Sequence, residues 1–193
     1  MNNNFEYSSL KKFYKNKKIL ITGATGFKGS WLAFWLYKIG AKVFTTGNNP
    51  NKNKNLFYGL NLHKKTNLKI FDIRDYNKLK KVIKKIQPNI IFHLAAQPLI
   101  LKSYNEPKGT YEINTLGTLN LLESCRNIKS ITSLVCVTSD KCYESNYSTK
   151  GFKETDRLGG KDPYSGSKAS AEIIINTYNE SFFKNSKLGL ASA

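Results

Sequence analysis

The sequence predicts an α/β fold in which a parallel β-sheet is covered by helices on both faces. Two observations support this prediction. Short apolar runs alternate with longer amphipathic stretches along the 193 residues, and a glycine-rich turn separates the first apolar run from the first amphipathic one. A chain of this length can bury one substantial core. It has no run of about 18 apolar residues, so we expect neither a membrane-spanning helix nor a membrane partner.

The predicted elements follow one another without an internal repeat. Residues 1–16 lack an apolar stretch and are expected to form a flexible N-terminal arm rather than a secretory signal, which favours the cytoplasm. Residues 17–193 are expected to form one domain. The aromatic residues Trp31, Phe34 and Trp35 recur at helical spacing, which predicts that they face the core. The predicted strands are Lys18–Thr22, Lys42–Thr46, Leu68–Phe71, Ile90–Leu94, Ile131–Thr138 and Leu188–Ala193, and the predicted helices are Phe27–Ile39, Asp75–Lys85, Pro107–Arg126 and Asp162–Phe183.

The net charge of +18 comes almost entirely from lysine, because the chain contains only three arginines. A protein that reads bases or grips phosphates bidentately favours arginine, so no nucleic-acid partner is expected. We interpret the lysines as solvated surface; a second interpretation is that they attract an anionic nucleotide substrate. The three cysteines, Cys125, Cys136 and Cys142, lack the spacing of metal ligands. They are expected to be free and at least partly buried, and no metal site is predicted.

Three glycines at intervals of three residues follow the first predicted strand. Gly23 permits a tight turn, Gly26 lets the backbone approach a pyrophosphate, and Gly29 allows close packing of helix and strand. The free N–H groups at the start of the helix favour phosphates. The position of the turn between strand and helix therefore predicts a dinucleotide site. The spacing resembles that of the extended short-chain dehydrogenase/reductase family, which implies a Rossmann-like, NAD-binding domain.

Three further segments are expected around the same cofactor. An acidic residue normally binds the ribose about 20 positions after the turn, but here the chain has Asn49 and its neighbours. With no arginine for a 2′-phosphate either, NAD is favoured over NADP. The family resemblance implies that Asp72 lies beside the adenine amino group and that a small-residue turn after His93 borders the cofactor. His93 itself is expected to be structural.

A tyrosine and a lysine at the start of the last predicted helix form the expected redox pair. Tyr164 and Lys168 are four residues apart and so share one helical face. A phenol is a poor base at neutral pH, but a neighbouring ammonium favours the phenolate. Tyr164 can then accept a proton as a hydride leaves the sugar, while Lys168 also reaches the nicotinamide ribose. The predicted cofactor-binding residues are Gly23, Thr25, Gly26, Phe27, Gly29, Asn49, Asp72, Ile73, Leu94, Ala95, Ala96, Tyr164 and Lys168.

The residues Ser139, Asp140 and Lys141 directly follow the fifth predicted strand. The family resemblance implies that Ser139 binds the reacting substrate hydroxyl, although its hydroxyl could instead bond its own turn. Asp140 can protonate a departing hydroxyl as a general acid. Relatives that act on dTDP-glucose or GDP-mannose carry a glutamate where this chain has Lys141. That lysine can serve as a base only if burial or positive neighbours favour its neutral form; otherwise it holds a phosphate or a carboxylate.

Four segments together resemble the members of this family that act on CDP-glucose: TGATGFKGSWLAFWL, FHLAAQPLI, TSDKCYE and LGGKDPYSGSKASAE. The resemblance implies a 4,6-dehydratase with CDP-glucose as substrate and NAD as a recycled cofactor. C4 of the sugar is oxidised, water is lost across C5 and C6, and hydride returns to C6.

The resemblance also implies a homodimer in the full-length enzyme and a C-terminal lobe that grips the nucleotide of the substrate. The sequence ends inside the sixth predicted strand, before such a lobe, so we expect weak or no activity from this chain alone. Two alternatives remain. One is an epimerase or dehydratase of another nucleotide sugar, and the other is a non-catalytic NAD-binding remnant.

Overall fold

A single parallel sheet organises the chain. The computed structural model describes residues 3–49, 55–144 and 151–193, with side chains from Tyr7 onwards. The strand order is β3-β2-β1-β4-β5-β6, and every neighbouring pair is parallel. This is the order of a doubly wound, Rossmann-like sheet, so the predicted fold class is confirmed. The strands are β1 (Lys18–Thr22), β2 (Lys42–Gly47), β3 (Asn67–Ile70), β4 (Ile90–His93), β5 (Ser133–Cys136) and β6 (Gly189–Ser192).

The helices connect these strands and cover both faces of the sheet. Each of the two long predicted helices contains a π-helical segment, Glu112–Leu116 between α7 and α8 and Asn179–Phe183 after α9. The Asp162 side chain caps α9 by accepting from Ser165 N–H, with Pro163 in the first turn. The helices are α1 (Asn3–Tyr14), α2 (Phe27–Lys38), α3 (Leu56–Gly59), α4 (Leu62–Lys65), α5 (Tyr76–Ile86), α6 (Ile100–Asn105), α7 (Pro107–Tyr111), α8 (Gly117–Cys125) and α9 (Pro163–Tyr178).

The sheet has a hydrophobic core on each face, because successive side chains of a strand point in opposite directions. On β1, Ile19 and Ile21 belong to the core beneath α2, α3 and α4, whereas Leu20 belongs to the core beneath α5, α8 and α9. All three are fully buried. The strands are therefore apolar on both sides, as a parallel sheet requires, and their carboxyl ends are held at one edge.

Two expectations about the N-terminal third need correction. The segment expected to be a flexible arm folds mostly as helix α1, and Tyr14 at its end packs edge-to-face on Trp35 with ring centroids 6.4 Å apart. Trp31 and Trp35 were expected in the core but are 47% and 40% exposed. Helix α2 turns its small residues toward the sheet instead, burying Gly29, Ser30, Ala33 and Leu36. Close packing of helix on strand leaves no room for indole rings on that face.

Two other expectations agree with the structure. Cys125, Cys136 and Cys142 are free and buried, and burial raises the pKa of the Cys136 thiol to about 12. Such thiols behave as small apolar side chains. Within residues 3–49, 55–144 and 151–193, no helix combines the length and the apolar character needed to cross a membrane.

Candidate cofactor cavity and active site

One cavity of about 540 Å³ opens at the carboxyl ends of the strands. It lies where β1 and β4 are neighbours and the chain order reverses, which is the usual ligand position in open α/β sheets. All of the residues predicted to bind the cofactor line this cavity. The remaining lining residues, which the sequence did not single out, are Lys28, Thr46, Gly47, Asn48, Phe71, Pro98, Ile113, Val137 and Thr138.

The glycine turn forms the floor of the cavity and has no space for side chains. Gly23 has φ +69°, and a Cβ there would lie 2.6 Å from the backbone of Leu94 and Ala95, directly after β4. A Cβ on Gly29 would lie 2.4 Å from the carbonyl oxygen of Gly23. At Gly26 the same atom would meet only that oxygen, at 3.3 Å. The turn is thus packed tightly against the sheet and open at Gly26, where it can approach a phosphate.

The start of α2 points its backbone at the same space. Phe27 is the first helical residue, and the preceding Gly26 provides no side-chain cap. No acidic side chain lies in the first turn. The amide groups of that turn, together with the positive end of the helix dipole, therefore favour a bound anion.

The cavity is lined by Asn48 and Asn49 after β2 and by Asp72 after β3. Arg74 clamps the Asp72 carboxylate with Nε at 3.0 Å and a terminal nitrogen at 2.8 Å, and these hydrogen bonds lower the pKa of Asp72. Arg74 also bridges to Glu112 at 3.0 Å. The carboxylate is therefore ionised and fixed in orientation. The sequence pointed to Asp72 but not to the bridge from Arg74 to Glu112, because these two residues are 38 positions apart.

Tyr164 and Lys168 reach the cavity from the first two turns of α9. Tyr164 is 9% exposed, and its backbone N–H donates to the Ser103 hydroxyl at 3.2 Å. Lys168 is 6% exposed, and its ammonium donates to the Val137 carbonyl at 3.2 Å, at the end of β5. Burial lowers the pKa of Lys168 to about 8. The predicted pair therefore shares one helical face and one cavity with the glycine turn.

A buried amide network, missed in the sequence, holds α9 against the turn after β4. The Asn114 amide donates to the Ser167 hydroxyl at 2.9 Å and to the Gln97 carbonyl at 3.1 Å, and it accepts from Gln97 N–H at 2.8 Å. The Thr115 hydroxyl donates to the Ser167 carbonyl at 3.0 Å. Asn114 and Thr115 lie in the π-helical segment, so this irregular turn fixes the position of the tyrosine helix.

His93 has the structural position expected for it. Its ring nitrogens contact the hydroxyls of Thr22 at 2.6 Å and Thr118 at 3.1 Å. Burial, with a smaller effect from Lys168, lowers the pKa of His93 to about 3. The neutral ring therefore connects β1, β4 and α8 beneath the cavity.

The three residues after β5 occupy a different environment. Ser139 caps a short 3₁₀ turn, Asp140–Cys142, by accepting from Lys141 N–H at 3.2 Å, which is the turn-bonding alternative left open above. Asp140 and Lys141 form an ion pair at 3.3 Å, with side chains 69% and 55% exposed. None of these three residues lines the cavity, although Val137 and Thr138 just before them do. The structure thus brings Tyr164 and Lys168 into one cavity with the glycine turn but leaves Asp140 and Lys141 on the open surface.

The sheet order, the glycine turn and the Tyr164–Lys168 pair define a Rossmann-fold domain of the extended short-chain dehydrogenase/reductase class. The family model described as GDP-mannose 4,6 dehydratase matches residues 20–186, which covers most of the chain. The chain therefore belongs to this family of nucleotide-sugar enzymes.

Individual relatives agree with this placement. The chain is 41% identical over 187 residues to CDP-glucose 4,6-dehydratase of Salmonella typhimurium, a match covering 94% of this chain and 52% of that protein. The epimerase Mth375 of Methanothermobacter thermautotrophicus shares the fold with a TM-score of 0.82 and 24% identity, over 99% of this chain and 55% of that one. The UDP-glucose 4-epimerase of Thermus thermophilus in complex with NAD matches with a TM-score of 0.74 and 27% identity, over 91% and 53%. The chain spans about half the length of the relatives it matches.

Proposed function

We propose that this chain provides the cofactor and proton-transfer half of a CDP-glucose 4,6-dehydratase, which converts CDP-glucose to CDP-4-keto-6-deoxyglucose and water. The observation that carries the proposal is the meeting of Tyr164 and Lys168 with the glycine turn in one cavity. The 41% identity to the Salmonella enzyme supports the choice of substrate. The relatives are about twice as long, so the groups that grip the cytidine nucleotide are proposed to come from a further lobe.

The cavity fits NAD. A Cβ on Gly23 or Gly29 would collide with backbone atoms, whereas the turn is open at Gly26, so the three glycines allow the close backbone approach that a pyrophosphate site requires. Asn49, which is expected near the ribose, is neutral, and among the residues that the structure describes no arginine lines the cavity to hold a 2′-phosphate, which favours NAD over NADP. When bound, NAD would take a hydride from C4 of the glucosyl unit and return it to C6.

Tyr164 is the proposed base for the C4 hydroxyl. Its side chain lines the cavity in a helix fixed by the buried amide network, so the phenol is positioned before substrate binds. Lys168, one turn further along α9, brings an ammonium group to the same cavity. Because its ammonium is already hydrogen-bonded to Val137, Lys168 keeps a fixed position rather than moving with the substrate.

Asp140 and Lys141 are proposed to act on C6 and C5. Asp140 would protonate the departing C6 hydroxyl, and Lys141 would remove the C5 proton, with Ser139 bonding the substrate hydroxyl near Tyr164. As they stand, Asp140 and Lys141 are exposed and paired with each other. The base role therefore requires substrate to separate this ion pair and to exclude water from it.

An epimerase is the second candidate, because the two solved structures described above are epimerases with the same sheet. The two functions differ in product. A dehydratase removes one water from CDP-glucose, whereas an epimerase gives an isomer of unchanged mass.

The deciding experiment incubates CDP-glucose and NAD with the chain, alone and together with the C-terminal half of the Salmonella relative, and follows product by mass spectrometry. We expect loss of one water, and only with the added half. An isomer of unchanged mass would favour the epimerase. NAD binding with no product in either mixture would favour a non-catalytic remnant.

The matched variant for this assay is Tyr164→Phe, which removes one hydroxyl and keeps the ring. We expect turnover to fall by about a thousandfold, within the usual range for a general base, with NAD affinity within about twofold of the parent. Calorimetric titration with NAD measures the second quantity. Unchanged turnover in Tyr164→Phe would exclude the tyrosine as the base. The proposal that the cavity binds NAD would not be affected by that result.

A further inference from the structure

The first third of the chain has an unusual charge distribution. Between Tyr7 and Phe71 there are thirteen lysines and not one aspartate or glutamate. The helices of this stretch, α1 to α4, pack on the same face of the sheet around one core. On the opposite face, Asp75, Glu112 and Glu123 form ion pairs with basic neighbours. Apart from Glu6 on α1, the helices on this side of the sheet contain no acidic residue. The function proposed above does not use their outer surface.

Exposed aromatic and aliphatic side chains lie among these lysines. On α1, Tyr7, Leu10 and Phe13 are between 38% and 51% exposed, and on α2 Trp31 and Trp35 are 47% and 40% exposed. We call these five residues, with the lysines around them, the aromatic–lysine face. Such large apolar groups on an exposed helix surface mark an interaction site when they are contiguous.

Ring contacts show that the face is continuous across both helices. Phe13 lies 4.9 Å from Tyr14, and Tyr14 lies 6.4 Å from Trp35. The Lys17 ammonium sits 3.5 Å from the centre of the Phe13 ring, and Lys65 lies 5.5 Å from the ring of Phe34 beside Trp31. Cations and aromatic rings are thus in direct contact rather than in separate patches.

The charge of the face restricts its partner. A second copy docking through the same face would bring two sets of lysines together, which repel. The partner must be anionic and must also accept indole and phenyl rings. A nucleic acid is disfavoured because residues 7–71 contain no arginine, the side chain best suited to bidentate phosphate contacts.

We propose that the aromatic–lysine face binds the surface of a bilayer containing anionic phospholipid. Tryptophan, tyrosine and phenylalanine insert at the depth of the lipid headgroups, and lysines beside them attract the anionic headgroups. The contact is peripheral and needs no spanning helix, so it revises the expectation that the chain has no membrane partner. It goes beyond the proposed enzymatic function and does not depend on it, since no residue of the redox pair takes part.

Vesicle flotation of the intact chain tests the proposal, with vesicles of phosphatidylcholine alone or mixed with phosphatidylserine. We expect flotation with the mixed vesicles at about 0.15 M salt, little with the neutral ones, and loss at high salt because screening shortens the reach of the charges. Both tryptophans of the chain lie in the face, so their fluorescence should shift to shorter wavelength on binding and be quenched by brominated lipid.

Two charge-matched variants localise the effect. Lys11→Glu/Lys38→Glu reverses exposed lysines on α1 and α2, whereas Lys81→Glu/Lys84→Glu makes the same change on α5, on the other face of the sheet. We expect the first to lower vesicle affinity by about tenfold or more and the second by much less, with both keeping the parent circular dichroism.

Three outcomes would overturn the proposal. The first is an equal loss of vesicle affinity in the two variants, which would indicate that binding depends only on the net charge of the chain. The second is flotation without any change in tryptophan fluorescence. The third is binding of single-stranded RNA that is stronger than vesicle binding and is lost in Lys11→Glu/Lys38→Glu, which would assign the face to nucleic acid.

Discussion

The cofactor cavity and the short turn after β5 are neighbours, because Val137 and Thr138 line the cavity just before that turn begins. The two regions are built differently. Around the cavity, Tyr164 and Lys168 are buried, hydrogen-bonded and fixed on a helix, and the glycine turn is locked against β4. In the turn after β5, Asp140 and Lys141 are exposed and bonded mainly to each other. The first region is built by sheet topology and packing within this chain. The second carries two ionisable side chains that this chain leaves exposed to solvent.

Replacement of Gly29 by alanine should produce the largest effect, because it breaks the locked region. Its Cβ would lie 2.4 Å from the carbonyl oxygen of Gly23 and 2.7 Å from the Cα of Ala24, both backbone atoms that no rotamer change can move. We expect a loss of unfolding free energy on the order of 4 kcal/mol and loss of NAD binding. Urea denaturation and calorimetric titration measure the two quantities.

Gly59→Ala is the matched control for this change. Gly59 ends α3, and no atom of the described residues lies within 4 Å of the position its Cβ would take. Its stability and NAD affinity should stay close to those of the parent, with a small gain from lower entropy of the unfolded chain. Equal losses in the two variants would show that the tight packing at Gly29 is not what holds the cavity together.

Lys168→Met should have the next largest effect: the free energy of unfolding should rise, whereas the affinity for NAD should fall. Burial lowers the pKa of Lys168 from 10.5 to about 8, so folding disfavours its charged form by roughly 3 kcal/mol. That penalty is fully present below pH 8 and disappears as pH rises toward 10.5, because the unfolded chain binds the extra proton only in that range. The variant should therefore be more stable than the parent at pH 7 and equal to it near pH 10.5.

The measurement is urea denaturation of parent and variant at several pH values from 6.5 upward. A stability difference that stays constant with pH would show that packing of the methionine, not removal of a buried charge, is responsible. NAD affinity of the same variant should fall, which would identify Lys168 as a residue kept for function at a cost in stability.

The same contrast explains what could be read from the sequence. The glycine spacing and the Tyr164–Lys168 interval are local patterns, and each predicted residue of the cofactor set reached the cavity. The Arg74–Glu112 pair and the Asn114 contacts were missed because their partners are distant in sequence and depend on the register of the sheet and on a π-helical turn. Long-range polar networks leave no periodic signal.

Periodicity also could not decide which face of a helix is buried. Trp31 and Trp35 do share one face of α2, as their spacing indicated. The opposite face packs on the sheet, because the close approach at Gly29 admits only small side chains such as Ser30 and Ala33. Hydrophobicity alone predicts that the two indole rings are buried. The structure buries the small side chains instead, because only they fit against the sheet.

Lys141→Ala should have the smallest effect and tests the exposed region directly. Because Lys141 is exposed and its ion pair with Asp140 is at the surface, unfolding free energy should change by less than about 0.5 kcal/mol. With CDP-glucose, NAD and the complementary half present, oxidation at C4 should persist while elimination slows by about tenfold or more, because the proposed C5 base is gone. Exchange of the C5 proton with deuterated solvent, followed by mass spectrometry, isolates that step. A normal exchange rate in Lys141→Ala would remove the lysine from proton transfer and leave it a partner that holds the Asp140 carboxylate or a substrate phosphate.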